Sequence, residues 1–138
     1  MNKHIYNILV VEDNPADVDL LRMALSAAEL DCNLTVIDDG GDALALVRQH
    51  MDGNEVPDLA ILDLNLPKCD GLEVLEAMRS NPQLTEVPVA ILSSSSSPRE
   101  RLRMQAFRVG RYITKPPDVD EFLRIGSIFK ELLAETAC

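Results

Sequence analysis

Leu59-Ala60-Ile61-Leu62-Asp63 and Val89-Ala90-Ile91-Leu92-Ser93 decide the fold of this chain. Each is a four-residue apolar run closed by a polar residue, and neither alternates. A strand with one wet face alternates, whereas a run apolar at every position belongs to a strand covered on both faces, the condition of a parallel sheet. Working outward, five β-type runs emerge: Ile5 to Val11, Cys32 to Ile37, Leu59 to Leu62, Val87 to Leu92 and Arg111 to Thr114. Segments of helical period separate them.

The first helix is signalled by Asn14 as N-cap and Pro15 at the first helical position, with Val18, Leu21, Leu25 and Ala28 on one face. The second is expected from Gly41 to Met51, burying Ala43, Leu44, Val47 and Met51. The third carries Leu72, Leu75 and Met78 between Gly71 and Pro82. Pro98 and Gly110 bracket a fourth, whose inward residues are expected to be Leu102, Ala106 and Val109. The fifth begins near Asp118 and shows Phe122, Ile125, Phe129 and Leu132, with Leu123, Ile128 and Leu133 broadening its stripe. Such a helix covers the sheet; the last two helices would instead offer a partner surface if Met104 or Phe107 were exposed. Strict βα alternation with apolar strands implies an α/β, doubly wound sandwich with right-handed crossovers, a single domain over 1–138.

Thirteen Lys and Arg against 23 Asp and Glu give a net charge of −10. That balance offers no footprint for nucleic acid or an anionic membrane surface. No apolar run approaches the ~18 residues of a membrane span, and the N-terminus lacks the long apolar core of a signal peptide, so a cytoplasmic address is expected. Cys32, Cys69 and Cys138 are widely spaced and odd in number, as reduced thiols. Cys69 reads as an inert surface thiol rather than a redox sensor.

In a doubly wound sheet, ligands bind beyond the carboxyl ends of the strands. Strand one is followed by Glu12 and Asp13, strand three by Asp63, strand four by Ser93 and strand five by Lys115. Any one of these could be a turn or cap residue. Together, the carboxylates would repel one another unless a cation were bound or their pKa values rose. Few, hard oxygen ligands open to water suit Mg²⁺, or the similar Mn²⁺; His4 and His50 have no neighbours that would make a zinc site. A cation held by Asp13 and Asp63, with an ammonium and a hydroxyl across the pocket, fits in-line phosphoryl transfer. Asp63 is the nucleophile of that geometry, and its product is an aspartyl phosphate.

The motifs Val10-Val11-Glu12-Asp13-Asn14, Asp63-Leu64-Asn65-Leu66-Pro67 with Asp70-Gly71, Ser93, and Tyr112-Ile113-Thr114-Lys115-Pro116 stand in order along the chain. In them the chain resembles the chemotaxis-regulator-like receiver domains of two-component response regulators. The resemblance implies the flavodoxin-like strand order 2-1-3-4-5 and phosphorylation of Asp63, which the domain itself catalyses along with its reversal. It implies that Glu12, Asp13, Asp63 and the Asn65 backbone carbonyl hold the metal, that Ser93 and Lys115 contact the phosphoryl group, and that Ser93 and Tyr112 form the switch. Ser94 would replace Ser93 if strand four ran one residue further. The resemblance also implies a cis Lys115–Pro116 bond, and small residues at Asn65 and Ser95 that admit water and give a moderate phosphoryl lifetime.

Only one helix fits after Lys115, so output is expected to pass through a partner protein. Asp63-Leu64-Asn65-Leu66-Pro67-Lys68 and Tyr112-Ile113-Thr114-Lys115 resemble the single-domain regulators of phytochrome-type histidine kinases. That implies a sensor histidine kinase as phosphoryl donor, an unspecified downstream protein, and a homodimer through helices 4 and 5. Three other readings are weaker. An aspartate-nucleophile phosphatase would carry a second aspartate where Asn65 stands. A flavodoxin-like cofactor binder would need a phosphate loop where Glu12-Asp13 would repel the phosphate. A pseudo-receiver that only binds protein would not need the acidic set with Asp63 and Lys115.

Overall fold

A computed structural model describes residues 4–53, 55–64, 66, 70–94 and 97–136. Five parallel strands run in the order β2-β1-β3-β4-β5: β1 Tyr6–Val11, β2 Cys32–Ile37, β3 Leu59–Asp63, β4 Val89–Ser93 and β5 Arg111–Thr114. The helices are α1 Pro15–Ala27, α2 Gly40–Val47, α3 Gly71–Ser80, α4 Pro98–Gln105, α5 Val119–Arg124 and α6 Gly126–Thr136. The expected α/β class and strand order are both found. β3 and β4 are buried at every position, as their unbroken apolar runs require.

The pleat divides the core into two layers. Leu9, Val11, Ala60, Leu62, Val89 and Ile91 face α2, α3 and Met104. Ile8, Val10, Leu59, Ile61, Ala90 and Leu92 face α1, α5 and α6. Burying each large aliphatic side chain contributes about 1.5–3 kcal/mol, so this two-sided core dominates the favourable side of folding. Register follows: Val11 lies beside both Ile37 and Leu62, and Asp63 beside Leu92, which brings the strand ends to one edge.

The helix starts are as their sequences indicate. Asn14 Oδ1 accepts the Ala16 N–H at 2.9 Å with Pro15 in the first turn, and Asp70 Oδ1 accepts the Glu73 N–H at 3.1 Å. Helix ends differ more. α2 stops at Val47 rather than Met51, because the Asn81 amide donates to the Val47 carbonyl at 2.8 Å and takes over its hydrogen bonding. Met51 is still buried, held in the loop by the Gln83 side chain, which accepts its N–H and donates to its carbonyl.

α4 corrects the expected inward face. Leu102 is 67% exposed and Ala106 exposed, whereas Met104 is 3% exposed and Phe107 half-buried against the core; of the expected residues Val109 alone packs against the core, beyond the end of the helix. The helix ends at Gln105 and Arg108 takes φ 57°, so the chain turns back early. The 3.6-residue stripe drawn from Pro98 to Gly110 therefore does not apply. The expected last helix is two, α5 and α6, broken at Ile125 by 3₁₀-type bonds from Ile125 N–H to Phe122 and from Ile128 N–H to Ile125. Gly126 follows the break; a Cβ there would lie 2.1 Å from the Ala24 carbonyl oxygen, so only glycine lets α6 sit this close to α1. Phe122, Ile125, Phe129, Leu132 and Leu133 are buried, so this segment does cover the sheet. No peptide bond among the described residues is cis, and Lys115–Pro116 is therefore trans; only about 0.5–1 kcal/mol separates the isomers of such a bond, and this chain has a second proline, Pro117, next to it.

Candidate active site at the carboxyl edge of the sheet

The alternation of the pleat, continued past the strand ends, directs Glu12 from β1, Asp63 from β3 and Lys115 after β5 toward the α1 side. The Glu12 N–H is fixed by the Ile37 carbonyl at 3.0 Å, and the Lys115 N–H by the Ser93 carbonyl at 2.7 Å. At Asp63 the chain leaves the sheet and meets the start of α3. A Cβ on Gly71 would lie 2.4 Å from the Asp63 carbonyl oxygen, so glycine is what allows α3 to begin against the site.

Lys115 Nζ sits among three carboxylates: 2.9 Å from Glu12 Oε1, 2.8 Å from Asp17 Oδ2 and 3.1 Å from Asp63 Oδ2. Oxygens of Glu12, Asp13 and Asp63 all lie within 4.8 Å of one another, with Glu12 and Asp63 buried and Asp13 exposed. The Asn14 N–H donates to Glu12 Oε2 at 3.2 Å. Glu12 Oε1 is shielded from solvent and accepts no hydrogen bond in good line, with the Lys115 ammonium at 2.9 Å. Burial, then the hydrogen bond and charge of Asp63, push the Glu12 carboxyl up to about 7, despite the lysine. Burial pulls Lys115 down, but hydrogen bonds to Asp17 and Glu12, the charge of Glu12 and the bond to Asp63 outweigh it, and its pKa rises. The ammonium therefore stays charged. Three converging carboxylates, two of them buried and one exposed, fit a small divalent cation with an open water side.

Ser93 is the fully buried last residue of β4, while Ser94 beyond it is exposed. The register sets Ser93 one residue past the partner of Asp63 and beside Thr114, so its side chain turns toward the α4 face. There it meets Tyr112. The Tyr112 hydroxyl donates to Glu100 at 3.0 Å, and Arg101 lies over its ring at 4.9 Å. Burial and the Glu100 hydrogen bond raise the Tyr112 pKa, against a hydrogen bond to Ser93 that lowers it. Glu12, Asp13, Asp63 and Lys115 are thus brought together, and Ser93 joins Tyr112. Asn65, Cys69 and Ser95 lie outside the described residues.

Sequence reading missed Asp17, Glu100 and Arg101. Asp17 had a usable signal: it is the third helical residue after the Asn14-Pro15 start, so its carboxylate stands over the strand ends. A hollow of about 880 Å³ between the end of α2 and α3 is lined by residues that include Arg48, His50, Glu73 and Asn81 and by none of the converging carboxylates.

Comparison with known proteins agrees with this geometry. The family model described as response regulator receiver domain matches residues 8–125. Response regulator Rcp1 of Synechocystis is 33% identical over 131 residues, 94% of this chain and 89% of that protein. The crystal structure of the phosphorylated cyanobacterial phytochrome response regulator RcpA superposes with a TM-score of 0.84 at 35% identity, covering 98% of both chains. The Mn²⁺-bound form of Rcp1 gives 0.79 at 32% identity, covering 91% of this chain and 92% of that one.

Proposed function

Since the chain belongs to the response regulator receiver domain family, we propose that it takes a phosphoryl group from a histidine kinase onto Asp63 and passes that state on through the α4–β5 face and the helices that follow. The observation that carries this reading is the contact of Lys115 Nζ with Asp63 Oδ2 at 3.1 Å inside a ring of carboxylates.

Glu12, Asp13 and Asp63, with the Asn65 carbonyl, would hold Mg²⁺ or Mn²⁺. When bound, the cation neutralises phosphoryl oxygens and keeps the carboxylates ionised. Asp63 presents one oxygen for in-line attack on phosphorus, and Lys115 offers its ammonium to the charge that accumulates. Ser93 supplies a hydroxyl to the phosphoryl group. Its loss as a partner for Tyr112 changes the packing of that ring between Glu100 and Arg101. In this way a charge placed at the sheet edge reaches α4.

A receiver implies a kinase and a downstream protein. The similarity to Rcp1 and RcpA supports a phytochrome-type kinase as the donor. A homodimer through α4 and the last helices is also proposed. We also propose a cytoplasmic address for this domain. No helix among the described residues is long and apolar enough to cross a membrane.

The test is intact mass after incubation with acetyl phosphate, with and without Mg²⁺, for the wild type and Asp63→Asn. One phosphoryl addition that needs both the cation and Asp63 is expected. No addition in a folded sample that binds Mg²⁺ would sink the proposal and leave a protein-binding pseudo-receiver.

A further inference from the structure

We propose that Asp17 is a positioning residue that competes for Lys115 and thereby restrains phosphorylation of Asp63. The inference rests on the receiver chemistry proposed above and adds a residue to it.

An ammonium has three protons to donate, and Lys115 Nζ has three carboxylate neighbours within 3.1 Å: Glu12, Asp17 and Asp63. Asp17, at 2.8 Å, is the shortest of them. A phosphoryl oxygen arriving on Asp63 is a fourth acceptor, so one of the three must yield. Asp63 carries the incoming group and cannot leave. Glu12 is 2% exposed, shielded from the water that would have to replace the ammonium there. Asp17 is 18% exposed, so water can replace the ammonium there. It also lies in the first turn of α1, where the helix dipole favours a negative charge without any partner. Asp17 is therefore the ligand exchanged.

The exchange accompanies a balanced transfer. An oxygen of Asp63 attacks phosphorus, the bond from phosphorus to the donor oxygen of acetyl phosphate breaks, and the electron pair leaves on acetate. Before the transfer, Asp17 holds the ammonium and adds a negative charge near the incoming dianion. Both effects oppose the reaction. Removing that charge without changing the shape should therefore speed it.

The experiment compares wild type, Asp17→Asn, Asp17→Glu and Asp63→Asn with acetyl phosphate at saturating Mg²⁺, reading the phosphorylation rate by intact mass. Asp17→Asn is expected to react about fivefold faster, the scale of one partly exposed ion pair, and Asp17→Glu to return to the wild-type rate. A second readout is binding of beryllofluoride, a phosphoryl mimic, in the presence of Mg²⁺; it is expected to tighten by a similar factor in Asp17→Asn. A residue that merely stabilised α1 would show neither gain. If wild type is phosphorylated and Asp17→Asn reacts at the same rate or more slowly, the assignment of Asp17 is overturned while the receiver reading stands. If wild type takes up no phosphoryl group, both fall. Should Asp17→Asn not fold, Asp17→Ala carries the same expectation.

Discussion

Replacing Arg79 by methionine should remove a clasp that joins three parts of the chain. From the last turn of α3, its Nε donates to the Phe107 carbonyl at 2.8 Å. Nη1 donates to Val87 at 2.8 Å, Thr85 at 3.0 Å and Leu84 at 3.2 Å, and Nη2 to Arg108 at 3.3 Å. Burial first, and then the neighbouring Arg108, depress its pKa, but an arginine has ample margin to remain charged. Leu84 also receives the Val87 N–H and Thr85 receives Arg108, so these two are not stranded when Arg79 is lost. The Phe107 and Val87 bonds dominate the loss. At about 1.5 kcal/mol each, the low end for a charged donor that is only partly buried, they give a loss of about 3 kcal/mol. Methionine keeps the aliphatic stem, so little packing is lost. With unfolding entropy near 2.1 cal/mol/K per residue over 138 residues, or about 0.29 kcal/mol/K, the melting temperature should fall by about 10 °C. Urea denaturation of both proteins at fixed Mg²⁺ would measure the loss, with an unchanged slope expected because the surface exposed on unfolding is the same. A loss below about 1 kcal/mol would refute the reasoning, since it would mean that water serves these carbonyls as well as the guanidinium does.

Three further outcomes are expected. Met104→Ala should cost about 2–4 kcal/mol while Leu102→Ala stays within about 0.5 kcal/mol, and chemical denaturation showing the reverse would restore the original face of α4. Gly126→Ala should destabilise by about 1–3 kcal/mol, because its Cβ would meet the Ala24 carbonyl oxygen at 2.1 Å; an unchanged melting curve would show that α6 can move away freely. Glu12 titrates near 7 without a cation, so its folded-state pKa lies above the ordinary 4.5. The folded protein then holds more protons than the unfolded chain between about pH 4.5 and 7, and Glu12's contribution to stability falls as pH rises through that window. Cation binding expels the proton, so Mg²⁺ affinity should weaken about tenfold from pH 8 to pH 6, measured by calorimetry; a flat profile would remove Glu12 from the metal site.

Strand-borne residues were legible in the sequence because the strand ends are. Two apolar runs stopping at Asp63 and Ser93 fix where the sheet edge lies, and Glu12, Asp13 and Lys115 follow by the same rule. What escaped depends on contacts between elements. The inward face of α4 was misplaced because its last turn is set by Arg108 at φ 57° and not by apolar spacing. The break at Ile125 reflects the approach of Gly126 to Ala24, across a hundred residues of sequence. Asp17 sits on a helix, and only the tertiary structure shows that its neighbour is a lysine 98 positions away.

α4 is held very differently at its two ends. Its far end is tied down through Phe107 and Arg108, both gripped by Arg79. Its near end begins at Pro98, and contacts that bind its first turn to β5 include Glu100 and Arg101 on Tyr112 and Arg101 on the Thr114 hydroxyl at 3.5 Å. A rod pinned at one end and latched at the other by side-chain contacts to β5 behaves as a lever. Releasing Tyr112 together with the Arg101–Thr114 contact would swing the Pro98 end through the largest arc and leave the fulcrum beside α3 in place, so exposed Leu102, out along the arm, would travel farther than Met104 near the pivot.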